Sequence, residues 1–164
     1  MANFETLGER KIIELILEQL EQMPKMPIPF GDDVSAYPID DSQLLILKTD
    51  MLVGKTDVPQ GMSLWQAARK AVVMNISDFA AKGVEPKVML VSLGLPKSLA
   101  KKHTIEELGR GLNAGAREYN AYIIGGDTNE ASDLMLSLSL FGIAKKSSLM
   151  LRSGAKPGDL VAVT

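Results

Sequence analysis

Apolar residues along this chain recur with two periods, and the switches between them outline its elements. Ile13, Ile16, Leu17 and Leu20 stand at helical spacing behind Thr6-Leu-Gly-Glu9, which has the form of a capping box, so a first helix is predicted there. It should end near MPKMPIP, where Pro24, Pro27 and Pro29 block continuation. Ser63-Leu-Trp-Gln66 opens a second helix by the same logic. Leu64, Ala68, Ala71, Val72, Ile76 and Phe79 supply its apolar face, and Lys82-Gly83 a stop. Thr104-Ile-Glu-Glu107 is expected to cap a third helix that runs to about Tyr119.

The remaining apolar runs are short or alternate with period two, as strands do. Val34–Tyr37 and Leu44–Thr49 read as a hairpin turning on Asp40-Asp41-Ser42. KVMLVSLGL and AYIIG read as strands, LMLSLSLFGIA alternates as a half-exposed strand, and DLVAVT reads as another strand. Helices join some strands and hairpins join others, so the class is α+β, with a sandwich of helices on a mixed sheet. SGAKPGDLVAVT reads as a lead-in to something further, which suggests one half of a larger protein.

Composition narrows the chemistry. The 164 residues suffice for one domain, and 46% hydrophobic with 23% charged is ordinary for a soluble globular protein. A net charge of -2 gives no reason to expect nucleic acid or an anionic membrane as partner. There is no cysteine and one histidine, His103, expected at the surface. Zinc-thiolate sites, disulfides and cysteine nucleophiles are therefore excluded, and the composition fits a cytoplasmic protein. A bound metal would be a hard cation on oxygen, with Mg²⁺ or Mn²⁺ foremost. No P-loop sequence or nucleophile elbow occurs, and GRGLNAG falls inside the third helix with the wrong spacing for a dinucleotide fingerprint.

Four acidic stations stand out: Asp32-Asp33 after Gly31, Asp50 after LLILKT, Asp78 in NISDFAAKG, and Asp127 after Gly125-Gly126. Asp50 and Asp127 each follow an apolar strand, so they could face one site. Asn75 precedes Asp78 by three and shares its helix face. A carboxylate among apolar residues is costly unless paired, and converging carboxylates repel; a divalent cation relieves both. Turn capping remains an alternative for Asp32-Asp33 and Asp127, and solvation an alternative for Asp78.

Taken together, GDDVSAY, KTDMLVGKTD, KAVVMNISDFAAKGVEP, IIGGDTNEA and LMLRSGAKPGDLVAVT occur in the order found in thiamine-monophosphate kinases. The chain resembles the amino-terminal domain of that family, within the aminoimidazole ribonucleotide synthetase-like superfamily, from Gly31 onward. The resemblance implies ATP-dependent phosphorylation of thiamine monophosphate to thiamine diphosphate, with several Mg²⁺ ions bridging acidic residues and phosphates. Carried over by motif, Asp33, Thr49, Asp50, Asp78 and Asp127 would be metal ligands, with Lys48 contributing through its backbone carbonyl. Gly126 and Asp127 would meet ATP, and Arg152 its phosphates. Asp57 stands where relatives often carry a substrate-contacting histidine.

No catalytic base is expected, because the attacking phosphate oxygen is already anionic. The family implies a homodimer that pairs its sheets. It also implies one domain over residues 1–164 with a helical lead-in over 1–30, followed in relatives by a carboxyl-terminal domain. On that expectation the chain alone turns over little. Another ATP-dependent enzyme of the superfamily, of aminoimidazole ribonucleotide synthetase or hydrogenase maturation type, is the alternative, as is a non-catalytic dimerising fragment.

Overall fold

The computed structural model describes residues 7–162. In chain order its elements are α1 (Glu9–Leu17), β1 (Ser35–Pro38), β2 (Gln43–Val53), a single helical turn α2 (Gly54–Asp57), α3 (Leu64–Ala81), β3 (Pro86–Leu95), α4 (Lys102–Glu118), β4 (Tyr122–Glu130) and β5 (Met135–Lys145). The strands form one sheet in the order β1-β2-β5-β3-β4. All neighbours are antiparallel except β3 and β4, whose parallel pairing requires the α4 crossover between them. This is the mixed, mostly antiparallel α+β sheet that the periodicities predict.

Helices α3 and α4 pack on each other and cover one face of the sheet. On central strand β5, Leu136, Leu138 and Leu140 are fully buried, whereas Ser137 and Ser139 between them are half-buried and face the other way. The two helices lie close because α4 presents glycines to α3. A Cβ at Gly111 would run into the Trp65 carbonyl, and one at Gly115 would stand 2.9 Å from Val72 Cβ. The glycines of GRGLNAG are thus packing residues. The bidentate Arg69–Glu118 pair closes the far end of this seam at 2.7–3.0 Å.

Several local expectations hold in detail. Ser63 accepts from the Gln66 amide while its own amide donates to Gln66 Oε1, a complete capping box. Asp40 Oδ1 accepts from the Ser42 amide and hydroxyl and from the Gln43 amide, which fixes the β1–β2 turn. Helix α3 ends at Ala81, and Gly83 takes the left-handed conformation at φ 70.

Other boundaries differ. Thr6 lies outside the described residues; the N-cap of α1 is Gly8, without a side-chain cap, and no residue of this helix is buried. Thr104 does not cap α4: it is buried in the first turn behind the N-cap Lys101. Strand β2 runs through Asp50 to Val53, and β4 runs through Gly125-Gly126-Asp127 to Glu130, because β5 and β3 supply backbone partners along their full length. Asp50 and Asp127 are therefore inside strands, not at their ends. Residues 159–162 of DLVAVT form no strand and are exposed, since no neighbouring strand pairs with them. Among the described residues, no helix is long and apolar enough to cross a membrane.

Candidate functional site

Helix α3 carries Asn75, Asp78 and Lys82 at i, i+3 and i+7, so all three side chains project from one stripe. Two charged nodes form along that stripe. At the first, Lys48 Nζ lies 2.5 Å from Asp78 Oδ2 and 3.9 Å from Asp50 Oδ2. Lys48 and Asp50 reach it because alternate residues of β2, from Leu44 and Ile46 through Leu52, face the helices. Asp78 is thus ion-paired and half-buried, which decides against a fully solvated carboxylate.

At the second node Lys82 Nζ lies 2.6 Å from Asp32 Oδ1 and 2.9 Å from Asp33 Oδ2. The Lys82 and Asp32 side chains are only 4% and 7% exposed. Asp32 Oδ1 also accepts from the Asp33 amide, and Oδ2 accepts from the Arg152 amide at 2.9 Å. The Arg152 guanidinium donates to the Gly31 carbonyl at 3.2 Å and lies 3.5 Å from Asp33 Oδ1. Burial opposes ionisation of Asp32, but the hydrogen bonds from Lys82 and the two amides outweigh it and hold the carboxyl below its ordinary pKa. Burial likewise opposes the Lys82 ammonium, and its hydrogen bonds to Asp32 and Asp33 outweigh that and raise its pKa.

The remaining candidates lie elsewhere. Asp127 registers beside Ser92, which registers beside Ser137, which registers beside Met51, a single row across four strands on the uncovered face. These four line a shallow pocket of about 240 Å³ with Asn129 and Glu130. Thr49 also faces that side and donates to the Leu138 carbonyl at 3.0 Å. Within the chain, then, Asp50 and Asp127 do not face one site: strand alternation sends them to opposite faces. Gly126 has a structural reason of its own, because a Cβ there would collide with the Val91 carbonyl of β3. Asp57 closes the α2 turn, its Oδ2 accepting from the Val53 amide at 2.7 Å and the Thr56 hydroxyl at 3.1 Å.

Sequence reading gives Lys82 only the role of a helix stop in AAKG, although its position four residues after Asp78 on an apolar helix places it on the acidic stripe. It names Asp32 among the acidic stations, but the motif assigns the ligand role to Asp33. The structure adds that Asn75 is 1% exposed, donates through Nδ2 to the Ala71 carbonyl, and has an Oδ1 without a partner among the described residues. A buried orphaned acceptor calls for an explanation, often a water or an ion.

Do these residues suit a divalent cation? The carboxylates that Lys48 joins are hard oxygen donors, and one turn earlier on α3 Asn75 holds an unsatisfied buried amide oxygen. Among the described residues no three acidic or histidine side chains converge. Mg²⁺ can be held by one or two protein carboxylates with water and phosphate filling its shell, so the two carboxylates at Lys48 are chemically compatible with it. The donor set fits, with the Lys48 ammonium standing between Asp50 and Asp78.

Residues 31–144 match the family described as AIR synthase related protein, N-terminal domain. The chain belongs to this family. The chain is 42% identical, over 96% of its length, to the thiamine-monophosphate kinase of Pyrococcus horikoshii, and 41% identical over 97% to that of Pyrococcus abyssi. It spans about half of these relatives, 48% of each. Among solved structures it is similar to AaThiL complexed with AMPPCP and TMP, with TM-score 0.82 and 28% identity over 95% of this chain and 48% of that one.

Proposed function

We propose that this chain is the amino-terminal half of a thiamine-monophosphate kinase, which transfers a phosphoryl group from ATP to thiamine monophosphate and forms thiamine diphosphate. The observation that carries the reading is the 42% identity to the Pyrococcus horikoshii enzyme across almost the whole chain. The likeness to a ThiL chain in complex with AMPPCP and TMP supports both ligands.

The obstacle to this reaction is repulsion between two polyanions, and Mg²⁺ bridging the phosphates offsets it when bound. Asp78 and Asp50 are the residues of this chain best arranged to hold such an ion, with Asp33 in the neighbouring node. Arg152 keeps an exposed guanidinium that can turn towards phosphate. No residue need remove a proton, since the acceptor oxygen is anionic at neutral pH. Asp127, Gly126, Thr49 and the Lys48 carbonyl belong to the proposal as ligands presented by β2 and β4, and Asp57 as a substrate contact.

The uncovered sheet face, with Met51, Leu90 and Ile143 exposed, supports a homodimer built sheet against sheet, which would also bring a second copy near Asp127. The absence of cysteine supports a cytoplasmic location. The decisive experiment supplies the protein carrying this chain with ATP, Mg²⁺ and thiamine monophosphate, and follows thiamine diphosphate by chromatography. Product that depends on all three is expected. ATP turnover with another acceptor and none with thiamine monophosphate would overturn the reading.

A further inference from the structure

Among the described residues the most enclosed ion pair is that of Lys82 and Asp32, and the chemistry outlined above uses neither. Fully burying an ion pair gains little stability over packed apolar side chains, so such a pair invites a question about what it orients. Asp32 divides its two oxygens. Oδ1 holds Lys82 and the Asp33 amide; Oδ2 holds the backbone amide of Arg152, on a segment 120 residues distant in sequence. The Lys82 carbonyl in turn accepts from the Met150 amide at 3.2 Å. Residues 150 and 152 are therefore tied by their backbone to the end of α3 and to the loop that bears Asp33. The Arg152 side chain, by contrast, stays 63% exposed.

We propose that Lys82 is a positioning residue. Through Asp32 it fixes the backbone of Arg152, and directly it fixes the Asp33 carboxylate, so that the exposed guanidinium and the carboxylate meet the phosphates and the cation of Mg-nucleotide at a set separation. The inference rests on the reading of Arg152 as a phosphate-binding residue. Lys82 itself touches neither nucleotide nor substrate.

The test is a double-mutant cycle in the protein carrying this chain, with KM for Mg-ATP and kcat read separately. Lys82→Met should raise that KM about tenfold while kcat changes by less than about threefold. In an Arg152→Ala background the same substitution should raise KM by clearly less than in the parent, because the share of its effect that travels through Arg152 is gone and only the share carried by Asp33 remains. A role in stability alone would lower the folded fraction and so kcat, leaving KM where it was; that result overturns the proposal. So does full additivity of the two substitutions. Should Lys82→Met not fold, Lys82→Met with Asp32→Asn removes both buried charges and carries the same expectation. Arg152→Ala with an unchanged KM would refute the underlying nucleotide reading; a raised KM there beside an unaffected Lys82 variant would refute only the role of Lys82.

Discussion

Two carboxylate–lysine nodes lie along one stripe of helix α3, and they differ in how far water reaches them. Lys82 and Asp32 are 4% and 7% exposed and share their hydrogen bonds with two backbone amides. Lys48 and Asp78 are 17% and 29% exposed, and no hydrogen bond from a backbone amide reaches Asp78 among the described residues. The first node is built into the fold. The second is the more open of the two, with Asp78 held by a side-chain cation and by no backbone amide among the described residues, and it is the node the proposed metal role concerns.

Unequal cost is the first way to break that comparison. Lys82→Met strands a buried carboxylate, and removing one partner of a buried pair costs about 3–5 kcal/mol. Lys48→Met leaves carboxylates that water can reach and should cost about 0–1 kcal/mol. Thermal and urea unfolding measure both; equal losses would erase the distinction. The buried node should also show in the pH dependence. Its carboxyl titrates below the unfolded value, so the stability it adds is complete above about pH 4 and is lost as pH falls through the folded value. Its ammonium titrates above the unfolded value, so that share is complete below about pH 10.4 and is lost as pH rises through the folded value. The stability gap between the parent and Lys82→Met with Asp32→Asn should therefore stay flat across neutral pH and close at either extreme.

The contrast between the nodes also separates what the sequence made legible from what it did not. Helix α3 was readable almost residue by residue, because its cap, its apolar face and its terminal Gly83 are local signals. The chemistry of Asp78 was readable as well, since a carboxylate among Ala71, Val72, Ile76 and Phe79 must have a partner. The identity of that partner was not, because Lys48 arrives from a strand whose facing depends on sheet register. The same limit explains Asp127. AYIIGGDT looks like a strand running into a turn, and only pairing with β3 carries the strand on to Glu130 and turns Asp127 to the uncovered face. Even Gly126 answers to that pairing, through the Val91 carbonyl that leaves no room for a Cβ.

A second, smaller effect sharpens the functional side. Asp78→Asn removes the charge that a cation at the open node would meet, and should weaken Mg-dependent ATP binding at least tenfold, about 1.4 kcal/mol, by calorimetry. Asp127→Asn on the opposite face tests whether that face contributes to the same ligand. An effect of similar size there requires the two faces to meet in an assembly, since one chain keeps them apart. Unchanged affinity in both variants would remove the metal and nucleotide role from these carboxylates.

The smallest expected change is the most pointed. If the Lys48 ammonium stands in for a cation, then Lys48→Met should leave the metal-free protein within about 1 kcal/mol of its parent. Asp50 and Asp78 would then lack a positive neighbour, and each would be held beside a like charge in partly desolvated surroundings. Added Mg²⁺ should accordingly raise the unfolding temperature more in the variant than in the parent, and at lower concentration, because it no longer competes with a tethered ammonium. Lys48→Arg keeps the charge and should behave as the parent does. An Mg²⁺ response identical in all three proteins would mean that the ion never visits this pair, and the difference between the two nodes would be one of burial alone.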